Sequence, residues 1–350
     1  MGISIALRKK EKKEMLLWNW NYKLKLTFKS PFWDGGSNML SRVADTIYWM
    51  ARYMERTHGL LQNIRTNYIS SQDDIMDFSW KSLLNTYGNE LSAQEITKVE
   101  KDTSRVFEYL ILDKMNGSSA YNNISRSREN ARAIQDHITK EVWQCLNDYY
   151  HFIREPVIEK QVKNGDPLTA IELLIRHGLL FTGTIKNTMT RDESYAYLHI
   201  GKFLERSILT VDILRMKFTE IDPQSYELVD ARGLRYLLYS LFGYEIYLKT
   251  YKGHFTIENV LELVLYNSFF PHSLMYSLYQ LNKYFERLKP ESLPENYEQL
   301  EFLIGKILNN VKYSNLEAGN FNMLDPFLVR TRQDLIEIGN SFSHYYFGNT

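Results

Sequence analysis

A single cysteine, Cys145, stands among the 350 residues, which excludes an intramolecular disulfide framework and any cysteine cage for zinc or an iron–sulfur cluster. That usage fits a reducing cytosol, and a cytoplasmic location is expected. Net charge is also lacking: 42 basic residues balance 42 acidic ones, so the whole-protein field does not draw in a polyanion, and bulk nucleic-acid binding is not expected. No uninterrupted apolar run approaches the ~18–20 residues needed to span a bilayer, and no cleavage site follows a short apolar core near the N-terminus. Neither a membrane span nor an export signal is therefore expected. A glycine-rich phosphate loop and a nucleophile elbow are both missing, which removes the usual sequence signs of nucleotide hydrolysis and of serine esterase chemistry.

What is present is helical periodicity. Val43, Ile47, Met50, Met54 and Leu61 fall in one stripe when each residue advances ~100° around an axis, and Ile124, Ala131, Ile138, Val142 and Leu146 continue the pattern later. Ser92 with Glu95 and Thr190 with Glu193 match the capping box, and Asp222-Pro223 is a further helix start. Short breaks at Asn116-Gly117-Ser118, Lys163 to Pro167, Lys252-Gly253, Phe270-Pro271, Pro290 to Pro294 and Gly319-Asn320 predict an all-α antiparallel bundle. At this length the chain could form one large domain or two lobes, with 39–165 and 166–350 as the expected division.

Residues 1–38 differ. They carry eight basic side chains against three acids, a net charge of +5, and from Trp18 to Lys29 apolar and polar residues alternate with a strand-like period of two. Either this is a basic arm for a membrane surface or partner, or translation begins at Met39. Asp34-Gly35-Gly36-Ser37-Asn38-Met39 favours the second, because two glycine codons before a methionine can encode a ribosome-binding sequence.

Internal repetition carries the most information. Residues 48–57 read YWMARYMERT, 198–207 read LHIGKFLERS and 279–288 read YQLNKYFERL. Each holds a basic residue (Arg52, Lys202, Lys283), then three positions on a glutamate (Glu55, Glu205, Glu286) followed by arginine (Arg56, Arg206, Arg287). An exposed ion pair at that spacing contributes only ~0.2–0.5 kcal/mol. Glu55, however, sits at the border of its apolar stripe, where a buried carboxylate requires a partner. Arg128 and Arg132, with Glu129 between them and Asp136 continuing a four-residue row, offer one partner set, and Arg191, Asp192 and Glu193 at a helix start offer another. These groups either form buried bridges that fix helix register or converge on one polar cleft for a peptide or other ligand bearing a carboxylate or amine. A di-iron or di-manganese site is not expected. Glu55 and His58 make one Glu-x-x-His, but Ile208 and Lys289 stand where the repeats would need a second histidine. His58, His137, His199 and His344 read as ordinary helix residues, the abundant tyrosines and phenylalanines as core, and Cys145 as a small buried hydrophobe.

With these motifs assembled, the chain resembles the Alpha-E family. The resemblance rests on Met39-Leu40-Ser41-Arg42 followed by Tyr48 to Arg56; on Ser127 to Arg132 continuing to Glu141-Val142-Trp143 and Leu146-Asn147; on Thr190 to Glu193 with Gly201 to Arg206; and on Phe270-Pro271-His272-Ser273. At His272 the family usually has arginine, so an anion-binding role there is in question. The resemblance implies an all-helical protein without an established reaction or cofactor. It also implies partners: a circularly permuted ATP-grasp protein and a transglutaminase-like peptidase, in a system that makes, modifies or trims a peptide. An accessory component that binds the peptide or docks on the ATP-grasp partner is the expected role. The alternatives are a stand-alone amide-bond or hydrolytic enzyme with Glu55 and Glu205 as general acid and base, and a structural oligomer.

Overall fold

A computed structural model describes residues 39–72, 79–88, 91–219, 231–253, 255–289, 295–314, 316 and 321–348. The basic segment 1–38 with its strand-like alternation, the Asp222-Pro223 start, the Pro290 to Pro294 break and Gly319-Asn320 lie outside these residues.

The described residues form helices and no strand, as the periodicity predicts. In chain order these are α1 Ser41–Ser71, α2 Lys81–Tyr87, α3 Ala93–Val99, α4 Thr103–Phe107, α5 Ala120–Ala133, α6 Lys140–Phe152, α7 Pro156–Asn164 and α8 Pro167–Thr188. There follow α9 Glu193–Thr219, α10 Ala231–Ser240, α11 Tyr244–Tyr251, α12 Ile257–Leu261, α13 Leu274–Glu286, α14 Glu295–Lys312 and α15 Phe321–Ser341. Local chemistry sets their starts. Ser92 and Glu95 form the expected capping box of α3. At α9 the cap is Asp192, whose carboxylate accepts from the Tyr195 amide at 3.1 Å, so the Thr190–Glu193 reading is two residues early. The apolar stripe through Ile124 and Ile138 is not one helix: α5 ends at Ala133, a 3₁₀ turn spans Gln135–His137, and α6 starts after the Thr139 cap.

The fold contains its main motif twice. Asp102 and Thr256 cap α4 and α12; both helices run into five-residue π turns, Glu108–Leu112 and Glu262–Tyr266; and Ser119 and Ser273 then cap α5 and α13. Packing follows the same plan. α1 lies against α9, α5 covers α1 as α13 covers α9, α6 bridges α5 and α8 as α14 bridges α13 and α15, and α8 supports α1 as α15 supports α9. The chain from Leu40 to Thr350 is one compact unit, and α8 packs with α1, α6 and α7. The boundary between the repeats therefore falls between α8 and α9. The third sequence copy is no third unit: Glu286 is exposed near the end of α13, bonded to Asn282 at 2.8 Å.

Contacts between α1 and α9 advance together along both helices, through Arg52–Glu205, Arg206–Glu55 and Lys217–Asn67, so the two run parallel. They cross closely because Gly201 has no side chain. A Cβ there would stand 2.4 Å from the Tyr48 carbonyl oxygen, a backbone atom that cannot rotate away. Gly201→Ala is expected to destabilise the protein by about 3 kcal/mol, as overpacking a tight core does, whereas Gly305→Ala, with open space at its Cβ, should stabilise by up to ~1 kcal/mol through helix propensity. Urea unfolding of both variants checks this, and equal midpoints would show that the crossing is looser than described.

Tyr48, Phe107, Tyr149, Phe285 and Phe342 are fully buried in the core, each burial contributing roughly 1.5–3 kcal/mol. Among the described residues α8 is the one helix long and apolar enough to cross a bilayer by length and composition. It packs its inner side on α1, α6 and α7.

Candidate functional site

The repeated glutamates meet arginines of the opposite repeat. Glu205, 2% exposed, accepts from Arg52 Nε at 2.7 Å on one oxygen and from Arg56 Nε at 2.7 Å on the other. Glu55, 7% exposed, accepts on Oε1 from Arg206 Nε at 2.6 Å. Each Glu-Arg pair of one repeat thus binds the Glu-Arg pair of the other, Glu55 with Arg206 and Glu205 with Arg56. Arg206 also donates to the Pro271 carbonyl at 3.1 Å, which ties the loop before α13 to this crossing.

Burial by itself would raise both carboxyl groups. The guanidinium groups of Arg56 and Arg52 more than offset it and hold Glu205 down at about 2. Arg206 and then Lys202 lower Glu55 in the same way. Both acids are therefore ionised at neutral pH, Glu205 with both oxygens taken and Glu55 with Oε1 taken, so neither is a proton donor there and the general-acid part of the expectation loses its basis.

The two crossings are not equivalent. Arg52 closes over Glu205 and is held by the Tyr48 hydroxyl at 3.1 Å and by the Trp49 ring at 4.6 Å. Its counterpart in the second repeat is Lys202, which makes no ion pair or hydrogen bond with a described residue and instead lines a cavity of about 290 Å³ between α1, α8, α9 and α13. Glu55, His58, Thr182, Lys186, His199, Arg206 and Gln280 supply other polar groups of the wall, and Phe181, Tyr195, Phe203, Tyr276 and Tyr284 its rings. Three cations thus face one carboxylate, which is itself engaged by Arg206.

Burial lowers the Lys202 ammonium to about 8, and the nearby Arg206 pushes in the same direction. Burial likewise holds His58 at about 4 and His199 at about 3, and His272 well below its ordinary range. His58 stacks on Phe242 at 5.0 Å and approaches His272 at 6.5 Å. The Nδ1 of His199 must donate to the Tyr195 carbonyl 2.9 Å away, because a carbonyl only accepts, and this leaves Nε2 as an acceptor. The imidazoles are neutral at pH 7, and the positive charge of the wall sits on lysine and arginine.

Of the residues singled out in the sequence, Arg52, Glu55, Arg56, Glu205 and Arg206 come together at the crossings, and Lys202 sits beside them in the cavity. The others do not converge there. Arg128 contacts Glu129 at 2.5 Å, Asn147 at 3.2 Å and the Trp143 and Tyr150 rings, all on α5 and α6, and Arg132 reaches Glu129 at 3.6 Å. Asp136 lies beyond the end of α5, so the expected four-residue row with Arg128 and Arg132 is broken. Arg191 donates to the Met189 and Lys186 carbonyls, closing the end of α8, while Asp192 caps α9 and Glu193 opens its first turn. These groups organise helix ends near Lys186 and Tyr195 but do not line the cavity.

Sequence reasoning overlooked Lys186 and Gln280, and it took His58 and His199 for ordinary helix residues and the tyrosines of the wall for core. One signal was available: Tyr195, His199, Lys202 and Arg206 recur at spacings of three and four, which places their polar groups along one side of α9. Nothing local marks Lys186 or Gln280, which reach the cavity only through the packing of α8 and α13. Among the described residues no group of three or more histidine, cysteine, aspartate or glutamate side chains is arranged to hold a metal ion.

Residues 39–347 match a family model described as a predicted alpha-helical domain with a conserved ER motif. The Glu-Arg dipeptides inside that match are Glu55-Arg56, Glu205-Arg206 and Glu286-Arg287; the first two are those that interlock at the α1–α9 crossing. No curated protein and no solved structure matches the chain.

Proposed function

From the chain's membership of the Alpha-E family, whose model spans residues 39–347, we propose that the protein is a cytoplasmic accessory component of a peptide-modification system, binding a peptide rather than performing the chemistry. It works beside a circularly permuted ATP-grasp protein and a transglutaminase-like peptidase. The observation that carries this reading is the cavity beside Lys202: a small, aromatic-walled recess with a surplus of positive charge, whose one carboxylate, Glu55, is ionised and engaged by Arg206. Such a wall is built to hold a ligand in place. It supplies recognition groups and lacks the carboxylic acid that a glutamate-based hydrolase would need.

A purely structural role explains the interlocked Glu-Arg pairs equally well, since they fix the register of α1 against α9. It explains Lys202 less well, because this ammonium, though attracted by Glu55 and lying over the Phe203 ring at 5.8 Å, has no hydrogen-bonded partner among the described residues and carries a desolvation cost. Tagged protein purified from native cells is expected to enrich the ATP-grasp partner together with a peptide. Repeated purifications that recover neither, under conditions that preserve the fold, would refute the role.

A further inference from the structure

The duplication supplies an internal control for Lys202. At the first crossing the basic residue three positions before the glutamate is Arg52, and it is consumed by Glu205 and Tyr48. Packed over that arginine is Gly339 of α15, whose Cβ would lie 3.4 Å from Nη1. At the second crossing the equivalent residue is Lys202, and the matching space is left open. There Gly178 of α8 faces His58, its Cβ position 3.7 Å from Nδ1, and the cavity extends past it to Thr182, Ile185 and Lys186. One crossing is closed by its own side chains and the other is left to be completed.

We infer that what completes it is the free carboxylate of an amino-acid-sized group, taken by Lys202 and Lys186, with the rest of that group lying between Phe203, Tyr276 and Tyr284. The assignment rests on the peptide-binding reading and names which part of the peptide the protein grips. The charge fits: an anion neutralises the unpaired ammonium, and a charge-assisted hydrogen bond away from bulk water is among the stronger contacts available to a small ligand. Arg206 adds to the field without being free itself, since Glu55 and the Pro271 carbonyl hold it. The size fits too. A volume of about 290 Å³ lies at the bottom of the range for small-molecule sites, roughly 300–1,000 Å³, and admits one residue rather than a folded segment. Gln280 on α13 offers an amide to a backbone group, and the tyrosine rings offer a flat apolar wall. The carboxylate can come from a peptide C-terminus or from an acidic side chain.

Calorimetric titration of the full chain with N-acetyl-L-phenylalanine, its neutral amide, and the α-amide of N-acetyl-L-glutamic acid decides the matter. At least one acid should bind, with the neutral amide weaker by about tenfold or more, and whichever acid binds more tightly identifies a C-terminus or a side chain as the source. Lys202→Met should lose the acid by about tenfold or more while melting near the wild-type temperature, because the desolvation cost it removes offsets the lost attraction to Glu55. Lys202→Gln serves the same purpose if the methionine variant does not fold. Equal binding of acid and amide, no binding of either acid at millimolar concentration, or unchanged binding in the folded variants would overturn the inference. Failure here with the partner still co-purifying would leave the accessory role standing. Carboxylate binding without any partner would remove that role and leave the site.

Discussion

Acidification from about pH 7 to 4 is expected to unfold the protein, with stability beginning to fall near pH 6.5 and well before carboxyl groups titrate. His58, His199 and His272 are all held neutral in the folded state by burial, His58 at about 4 and His199 at about 3. The sign follows from proton linkage. Below the ordinary imidazole value of 6.5 the unfolded chain takes up protons that the folded chain refuses, so the stability present above that pH drains away as pH drops towards the folded values. Each such group costs at most ~1.4 kcal/mol per pH unit. His58 and His199 retain some access to solvent, and with that discount their combined loss by pH 4 is on the order of 5 kcal/mol, comparable with the whole stability of many domains, with His272 adding in the same direction. Glu205, held at about 2, adds a second loss below its ordinary 4.5 in the same direction. Lys202 acts at the other end: held at about 8 against an ordinary 10.5, it lets stability rise as pH passes from 8 towards 10. Urea midpoints measured at intervals across this range would trace the profile. A curve flat down to pH 4.5 would mean that the imidazoles are solvated and that the cavity wall is not the one described.

Glu205→Ala should destabilise by about 3–5 kcal/mol, the largest effect expected of a single polar substitution here. It leaves Arg52 and Arg56 at the α1–α9 crossing without a counter-charge, and Arg52 is only 11% exposed. Lost attraction accounts for little of that cost; two guanidinium groups stripped of water and of a partner account for most. Replacing the cluster outright, with Arg52→Met, Arg56→Met and Glu205→Leu together, should therefore recover most of the loss. Glu129→Ala makes a useful contrast, because Glu129 is itself 55% exposed, its loss leaves Arg128 still bonded to Asn147 and Arg132 64% exposed, and exposed pairs contribute ~0–1 kcal/mol. Chemical denaturation of the three variants would separate the two kinds of pair. If Glu205→Ala and Glu129→Ala cost the same, the crossing is wet and the interlocked Glu-Arg motif has no structural weight.

The same two pairs show how far residue patterns can be read. Glu55 and Glu205 were visible in the chain because a duplicated motif repeats its chemistry, and a carboxylate at the border of an apolar stripe has to find a cation. Which cation was not visible. Arg128 lies on a helix packed against α1 and was an equally good candidate by spacing, yet its guanidinium turns to Trp143, Tyr150 and Asn147. Glu286 satisfied the motif as well as the other two and proved to be a surface residue, because seven positions define a helix face without saying what covers it.

Helices, their periodicity and the Ser92–Glu95 start were determined by the sequence alone, since these depend on residues within one or two turns of each other. So was the duplication, which is a property of the string itself. The parallel crossing of α1 and α9, the exchange of Glu-Arg partners across it and the cavity left open beside Lys202 were decided only by tertiary packing. They depend on contacts about 150 residues apart, such as Arg52 with Glu205 and Arg206 with Glu55, and on Gly201 allowing two backbones to touch. No local rule links such positions, so the difference between the arginine that is spent and the lysine that is left free appears only when the two repeats stand side by side.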